Sequence, residues 1–406
     1  MRYFCLFLFC FCFIQSQFTQ DIWGFGKDFK RIDLPFEFKN NLIIVDVTLN
    51  KLFPLKFILD TGAENTILAK REITDLLNVP YEREFKLLGS DMKTELTAYL
   101  VRNVHFKSHD LIVSALSMLV LEEDYFHFEE MAGVEVHGIL GADIFRGLVL
   151  KIDYRKRVIS LTKRQYFNEP KGFTKIPIEI ARSKPYLQTN LNIQQDTSIR
   201  VKLLLDSGAM VTFIVNTNTH PDLHLPPHIL QGKVGAGLGG FLDGYLGRVA
   251  SLDIGPYKLH GPITHFQDIS TAIDTSLLNG RNGIIGNKLL SRFTVIIDYP
   301  KEILYLKTNK KFKKSFDYDK SGLVIIAADA KLTSFIVHDV IAGSPAAKAG
   351  ILSEDNITHL NGIPVSLMSL ESITNKLRKK EGKKIKLRVK RDKEIFTFKF
   401  RLKKLI

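Results

Sequence analysis

Two tetrapeptides carry residue types suited to acid–base chemistry: Asp60-Thr61-Gly62-Ala63 and Asp206-Ser207-Gly208-Ala209. Each Asp ends a short apolar run, Leu55-Lys56-Phe57-Ile58-Leu59 in the first and Val201-Lys202-Leu203-Leu204-Leu205 in the second. An Asx-type turn that merely closes a strand is the ordinary use of Asp and Gly. That use does not explain two such turns in matched register. Each is also followed about 80 residues later by an apolar-apolar-Gly, Ile139-Leu140-Gly141 and Ile284-Ile285-Gly286. Two carboxyls within hydrogen-bond reach cannot both ionise. Sharing one proton, one of them can deprotonate a water while its neutral partner polarises a carbonyl. No His-Glu-x-x-His, Gly-x-Ser-x-Gly or phosphate-binding loop motif offers a competing chemistry.

The elements that must position these turns are themselves repeated. Leu55–Ala63 recurs as Val201–Ala209, Tyr99–Arg102 as Tyr245–Arg248, and Gly138–Phe145 as Gly283–Leu290. Asp153-Tyr154 recurs as Asp298-Tyr299, every displacement being 145 or 146 residues. Markers in one order at one spacing mean two copies of a module. The module reads as β. Asn41–Leu49 and Pro185–Ile193 are β-branched or alternating runs, and stretches 85–106 and 232–254 read as hairpins. Gly89-Ser90 and Gly237-Leu238-Gly239-Gly240 mark their turn regions. Helical signals are short, as in Ile67–Leu77.

Composition leaves room for this reading. The chain has 406 residues, 45% hydrophobic and 25% charged, which excludes disorder, collagen-like repeats and a coiled coil. Its net charge of +14 suggests an acidic partner until it is located. Residues 371–406 hold 15 Lys/Arg against 4 Asp/Glu, so the excess is a C-terminal patch, read as a solvated face. Arg2 followed by a dozen apolar residues and then Gln15-Ser16-Gln17 fits a signal peptide over 1–16, with export to a periplasm or out of the cell. The apolar run is too short for a membrane span, and none follows it. Cys5, Cys10 and Cys12 all lie in that leader, so the remainder has no disulfide, thiolate nucleophile or Cys-based metal site. His220, His224 and His228 have helical spacing, but Pro221, Pro226 and Pro227 break the helix, and no metal is expected.

The two Asp turns and the two apolar-apolar-Gly strands resemble retropepsin-like and pepsin-like aspartic proteases, with both lobes fused in one chain, over about residues 35–310. The resemblance implies a mainly β acid-protease fold of two closed β-barrel lobes, 35–165 and 170–310, after an N-terminal segment 17–34. It implies endopeptidase activity without a cofactor, polypeptide substrates, and Asp60 and Asp206 as the catalytic pair in a monomer. Thr61 and Ser207 would hydrogen-bond across the dyad, and Gly62 and Gly208 would allow close backbone approach. Ala63, Glu64 and Ala209 would border the cleft, with hairpin flaps near Gly239. Tyr99 and Tyr245 each lie 39 residues after their Asp. They read equally as flap tyrosines on the water network or as aromatics packed under the hairpin bases.

Residues 318–404 break the repeat and look like a PDZ domain, a small β-barrel with helices. The resemblance rests on Val340-Ile-Ala-Gly343-Ser344-Pro345-Ala346-Ala347 through Ala349-Gly350-Ile351, with Asn361-Gly362 downstream. It implies that amides in the loop of Ser321, Gly322, Leu323 and Val324 hold a peptide or C-terminal ligand. That ligand would add as a strand beside 323–328, against a helix near Leu370–Lys380. Nucleic acid is not an expected partner, because the basic patch lacks interleaved aromatics. The alternative function is a non-catalytic peptide-binding PDZ protein on an inactive protease-like scaffold.

Overall fold

The computed structural model describes residues 29–89, 94–125, 128–195, 197–237, 240–269 and 278–406. The expected leader, most of segment 17–34, Ser90 and Gly239 lie outside the described residues. The chain is mainly β, 49% strand and 12% helix.

In the first lobe, alternating apolar residues build Leu42–Leu49 and Phe53–Leu59 into an antiparallel pair with Ile44 opposite Ile58. The ring continues through Gly138–Leu140, Ile67–Leu68, Leu111–Leu121 and Glu95–Ser108. It returns to its start where Thr48 and Leu49 pair with Lys107 and Phe106, closing a six-stranded barrel. Phe57 and Phe106 meet edge to face inside it, both fully buried. Burying one such ring contributes about 1.5–3 kcal/mol.

The second lobe follows the same path through Lys184–Asn192, Ser198–Asp206, Gly283–Gly286, Phe213–Asn216, Ile263–Gln267 and Gly240–Arg248. Its long strand is broken at Val249-Ala250. The continuation, Ser251–Ile254, carries the pairing back to Leu191 and Asn192.

A third sheet joins the lobes. Its order is Arg31–Pro35, Val158–Lys163, Leu148–Asp153, Phe293–Asp298, Ile303–Thr308 and Thr174–Pro177, so each lobe contributes three strands. Among the described residues, strand Arg31–Pro35 overlaps the end of the segment assigned to 17–34. Ile67–Leu68, expected as the start of a helix, is a strand, and the helix spans Arg71–Leu76. The long-range pairing of Ile67 and Leu68 on both sides overrides the local helical signal.

The C-terminal domain has its own core of Leu323, Phe335, Val337, Ile357, Leu370, Ile373 and Leu387. Strand Leu323–Ala327 forms one edge of its sheet, and helix Leu370–Leu377 lies near it. Ser369 caps that helix by accepting the Ser372 N–H at 3.2 Å. In strand Lys384–Arg391, Lys384, Lys386, Arg388 and Lys390 are exposed while Ile385, Leu387 and Val389 are buried, so these charges line a solvated face.

The linker is fastened down. The Arg292 guanidinium donates to the carbonyls of Lys311, Phe312, Lys314 and Ser315 and sits 3.6 Å from the Phe316 ring centre. Tyr318 Oη donates to the Ile406 carbonyl at 3.0 Å, and Leu405 and Ile406 pack on the main core of the two lobes.

Candidate active site

Each Asp turn is held by the strand beside it. Leu59 pairs in parallel with Leu140, and Asp206 with Gly286. A β-carbon on Gly141 would lie 2.3 Å from the Asn65 carbonyl carbon, and one on Gly286 would lie 2.2 Å from the Val211 carbonyl oxygen. This close approach is why each apolar-apolar run ends in glycine.

Within each turn, one carboxylate oxygen is tied to the backbone. Asp60 Oδ1 accepts the N–H groups of Gly62 at 2.7 Å and Ala63 at 3.1 Å. Asp206 Oδ1 accepts those of Gly208 at 2.8 Å and Ala209 at 2.9 Å. The two turns then lock to each other. Thr61 Oγ1 donates to the Leu205 carbonyl at 2.7 Å and accepts the Ser207 N–H at 3.0 Å. Ser207 Oγ reciprocates with the Leu59 carbonyl at 2.7 Å and the Thr61 N–H at 3.1 Å. Thr61 and Ser207 are fully buried, so these four bonds are unscreened by solvent.

The glycines sit under the opposite carboxyl. A β-carbon on Gly62 would lie 2.7 Å from Asp206 Cγ, and one on Gly208 would lie 2.4 Å from Asp60 Cγ. The two carboxyls are close enough for each to shift the other's titration. Burial pushes both upward. Asp60 is held well above the usual carboxylate range because the charge of Asp206 adds to burial. For Asp206, Asp60 and the amides of Ala209 and Gly208 offset part of the burial. Such a pair shares one proton, and its titration belongs to the pair.

The remaining expected site residues distribute unevenly. The carbonyl of Ala63 accepts the Ala142 N–H at 2.9 Å and that of Ala209 the Asn287 N–H at 2.7 Å, tying each turn to its glycine strand. Glu64 lies 3.9 Å from Arg182 of the other lobe. Tyr99 is not a flap-tip residue: its hydroxyl donates to Glu122 at 3.0 Å, its ring packs on Tyr81, and the Arg71 guanidinium covers both rings. Tyr245 pairs with Gln231 and Phe266, well short of the tip pair Gly237–Gly240, and packs on the main core. In the C-terminal domain, Gly322 adopts φ +84° and Leu323 opens the edge strand that includes Val324. The amides of Ser321 and Gly322 donate to Asp319 Oδ1 at 2.8 and 2.7 Å, and that of Leu323 donates to Ser321 Oγ at 3.2 Å. His220 and His224 make only local contacts around Asp222 and share no helix.

Sequence reading missed three contributors. Asn287 donates to the Asn41 carbonyl at 2.7 Å across the lobes and accepts from the Tyr154 hydroxyl. Arg281 is close enough to Asp206 to pull its carboxyl down, and its Nε has no partner among the described residues. Lys184 is depressed by burial and by Arg281, and is drawn back by Glu64 and Asp60. Asn287 could have been found by aligning the repeat, where it stands opposite Ala142. Arg281 and Lys184 have no such signal.

Duplicated lobes, a joining sheet and paired Asp turns make this an aspartic-protease-like fold with a C-terminal PDZ domain. A family model for aspartyl protease matches residues 45–144, and one for the PDZ domain matches residues 311–402. A protein named probable CtpA-like serine protease, from Staphylococcus saprophyticus subsp. saprophyticus, is 39% identical over 85 residues. The match covers 20% of this chain and 17% of that protein. The crystal structure of aspartic proteinase from Irpex lacteus superposes with a TM-score of 0.43 at 13% identity, over 70% of this chain and 99% of that one.

Proposed function

We propose that this protein is an aspartic endopeptidase, exported by the 1–16 leader, whose PDZ domain binds or gates polypeptide substrates. The observation that carries the reading is the reciprocal lock of Thr61 and Ser207, which sets the two Asp turns against each other. In this reading the ionised carboxyl takes a proton from a water as its oxygen bonds to the peptide carbonyl carbon. The neutral carboxyl gives its proton to the carbonyl oxygen. The tetrahedral gem-diol then collapses: the amide nitrogen takes the proton from the pair, the C–N bond breaks, and one diol hydroxyl returns its proton to the pair as the new carboxyl forms, so the dyad is again singly protonated. The Oδ1 bonds to the turn amides keep each carboxyl from rotating while the Oδ2 side does this work.

The test is incubation of the chain from Gln17 onward with a diverse peptide mixture from pH 3 to 8, beside Asp60→Asn, with products read by mass spectrometry. Cleavages that vanish in the variant are expected. Absence of cleavage at every pH would overturn the reading and favour the peptide-binding scaffold.

A further inference from the structure

The groove of a PDZ domain lies between its edge strand and its long helix. Here those walls are Leu323–Ala327 and Leu370–Leu377. Both are already in contact with one short segment of the first lobe. Helix Phe128–Ala132 lies alongside the edge strand. At the next residue, a β-carbon on Gly133 would fall 2.7 Å from Leu370 Cβ, at the first turn of the helical wall. Gly133 has φ +60°, a conformation that favours glycine, so the segment turns here with its backbone against the leucine.

The segment belongs to its lobe independently of this contact. Phe128 and Ala132 are buried in the lobe-one satellite core, Glu129 pairs with Lys70 at 2.8 Å, and Asn40 donates to the Ala132 carbonyl. A chain-internal element of a folded lobe therefore lies against both walls of the groove, with no free terminus involved.

The end of the groove agrees. A terminal carboxylate needs free amides in the loop at Ser321–Leu323. All three of those amides are spent on Asp319 Oδ1 and Ser321 Oγ, and Asp319 also accepts from the Ser321 hydroxyl at 2.7 Å. A second carboxylate would have to displace Asp319 and would meet its charge.

We propose that this groove is a docking site for internal chain segments, that its resident occupant is segment 128–133 of the first lobe, and that an external polypeptide enters only by displacing it. The proposal rests on the reading of the C-terminal domain as a peptide-binding module but not on turnover at the dyad. A tethered occupant competes at an effective concentration of order mM, so external ligands face a standing competitor.

The test uses the full chain carrying Asp60→Asn, so that no probe is cut. The probe is a synthetic peptide of residues 125–136, made once as the C-terminal amide and once as the free acid. Amide and acid should bind within about twofold of each other, and adding either should speed hydrogen exchange at residues 129–133 of the protein. No binding of either peptide, a tenfold preference for the free acid, or an unchanged exchange rate at residues 129–133 while the peptide is bound overturns the proposal. Cleavage assays are separate, so failure here leaves the dyad reading standing, and an inactive dyad leaves this proposal standing.

Discussion

The two lobes agree around the carboxylates and diverge one layer out. In both, Oδ1 takes two turn amides, and the hydroxyl at the next residue crosses to the other lobe. Behind the glycine strands the equivalents differ. Asp143 accepts from the Thr66 N–H at 2.8 Å and the Thr66 hydroxyl at 2.7 Å. Its counterpart is Lys288, which reaches the Asp317 carbonyl in the linker at 2.8 Å, and Thr212 Oγ1 has no partner among the described residues. Tyr154 finds Asn287. The matching Tyr299 packs its ring on Phe145, and its hydroxyl has no partner among the described residues. Duplication supplied the same parts twice. Only the layer that must be symmetric for two carboxyls to share a proton has stayed so, while the next layer carries the linker on one side alone.

The sharpest way to break this comparison is at the shared layer. Asp60→Asn and Asp206→Asn should each lower peptide cleavage by about 10²–10⁴-fold with a nearly unchanged thermal melt. A variant that retains activity in one lobe but not the other would show that the carboxyls do not act as a pair.

Next come the crossing hydroxyls. Thr61→Ala removes the acceptor of the Ser207 N–H, and Ser207→Ala removes that of the Thr61 N–H, both fully buried. Each should cost about 2–4 kcal/mol in denaturant unfolding, at about one to three for a stranded buried group plus the lost bonds. The two costs should match within about 1 kcal/mol, and a large inequality would mean the lock is one-sided.

The diverged layer makes pH a probe of one lobe. Burial raises the Asp143 carboxyl from 3.8 to about 6. A folded-state value above the unfolded one favours the protonated form, so its contribution is full below about pH 4 and is lost as pH rises through about 6. The wild type should lose about 2–3 kcal/mol over that window relative to Asp143→Asn, read from urea midpoints at each pH. A parallel pH dependence in the two proteins would remove Asp143 from the account.

The smallest effect is the most discriminating. Tyr154→Phe should destabilise by about 1–2 kcal/mol, because Asn287 Oδ1 loses its donor. Tyr299→Phe removes a hydroxyl with nothing to bond and should be neutral or stabilising by up to about 1 kcal/mol. Equal losses would show that Tyr299 has a partner after all.

Much of the site was legible because its signals are local or repeated. An Asp that ends an apolar strand, followed by a small hydroxyl residue and glycine, declares its own conformation, and a second copy 146 residues on declares the pairing. The flap tyrosines were not legible in the same way. Matched spacing placed Tyr99 and Tyr245 in equivalent strands, but spacing does not say whether a side chain faces the cleft or an Arg71–Tyr81–Glu122 cluster. The Ile67–Leu77 segment misled because helical periodicity is a local preference, and Ile67 and Leu68 are claimed by strands from far along the chain.

By itself the sequence determined the duplication, the two carboxyl turns, the glycines that let strands pass beneath them, and the separate C-terminal module. Each of these is written in residue types at fixed short spacings, where backbone sterics and strand alternation leave few choices. Tertiary structure alone decided which of the duplicated tyrosines is satisfied, that Arg281 and Lys184 stand near the dyad, and that segment 128–133 lies against the edge strand and Leu370 of the C-terminal domain. These depend on which side chains from distant stretches meet after both lobes and the linker have packed. A linear chain does not encode such meetings as a pattern, because they are set by the sum of many contacts.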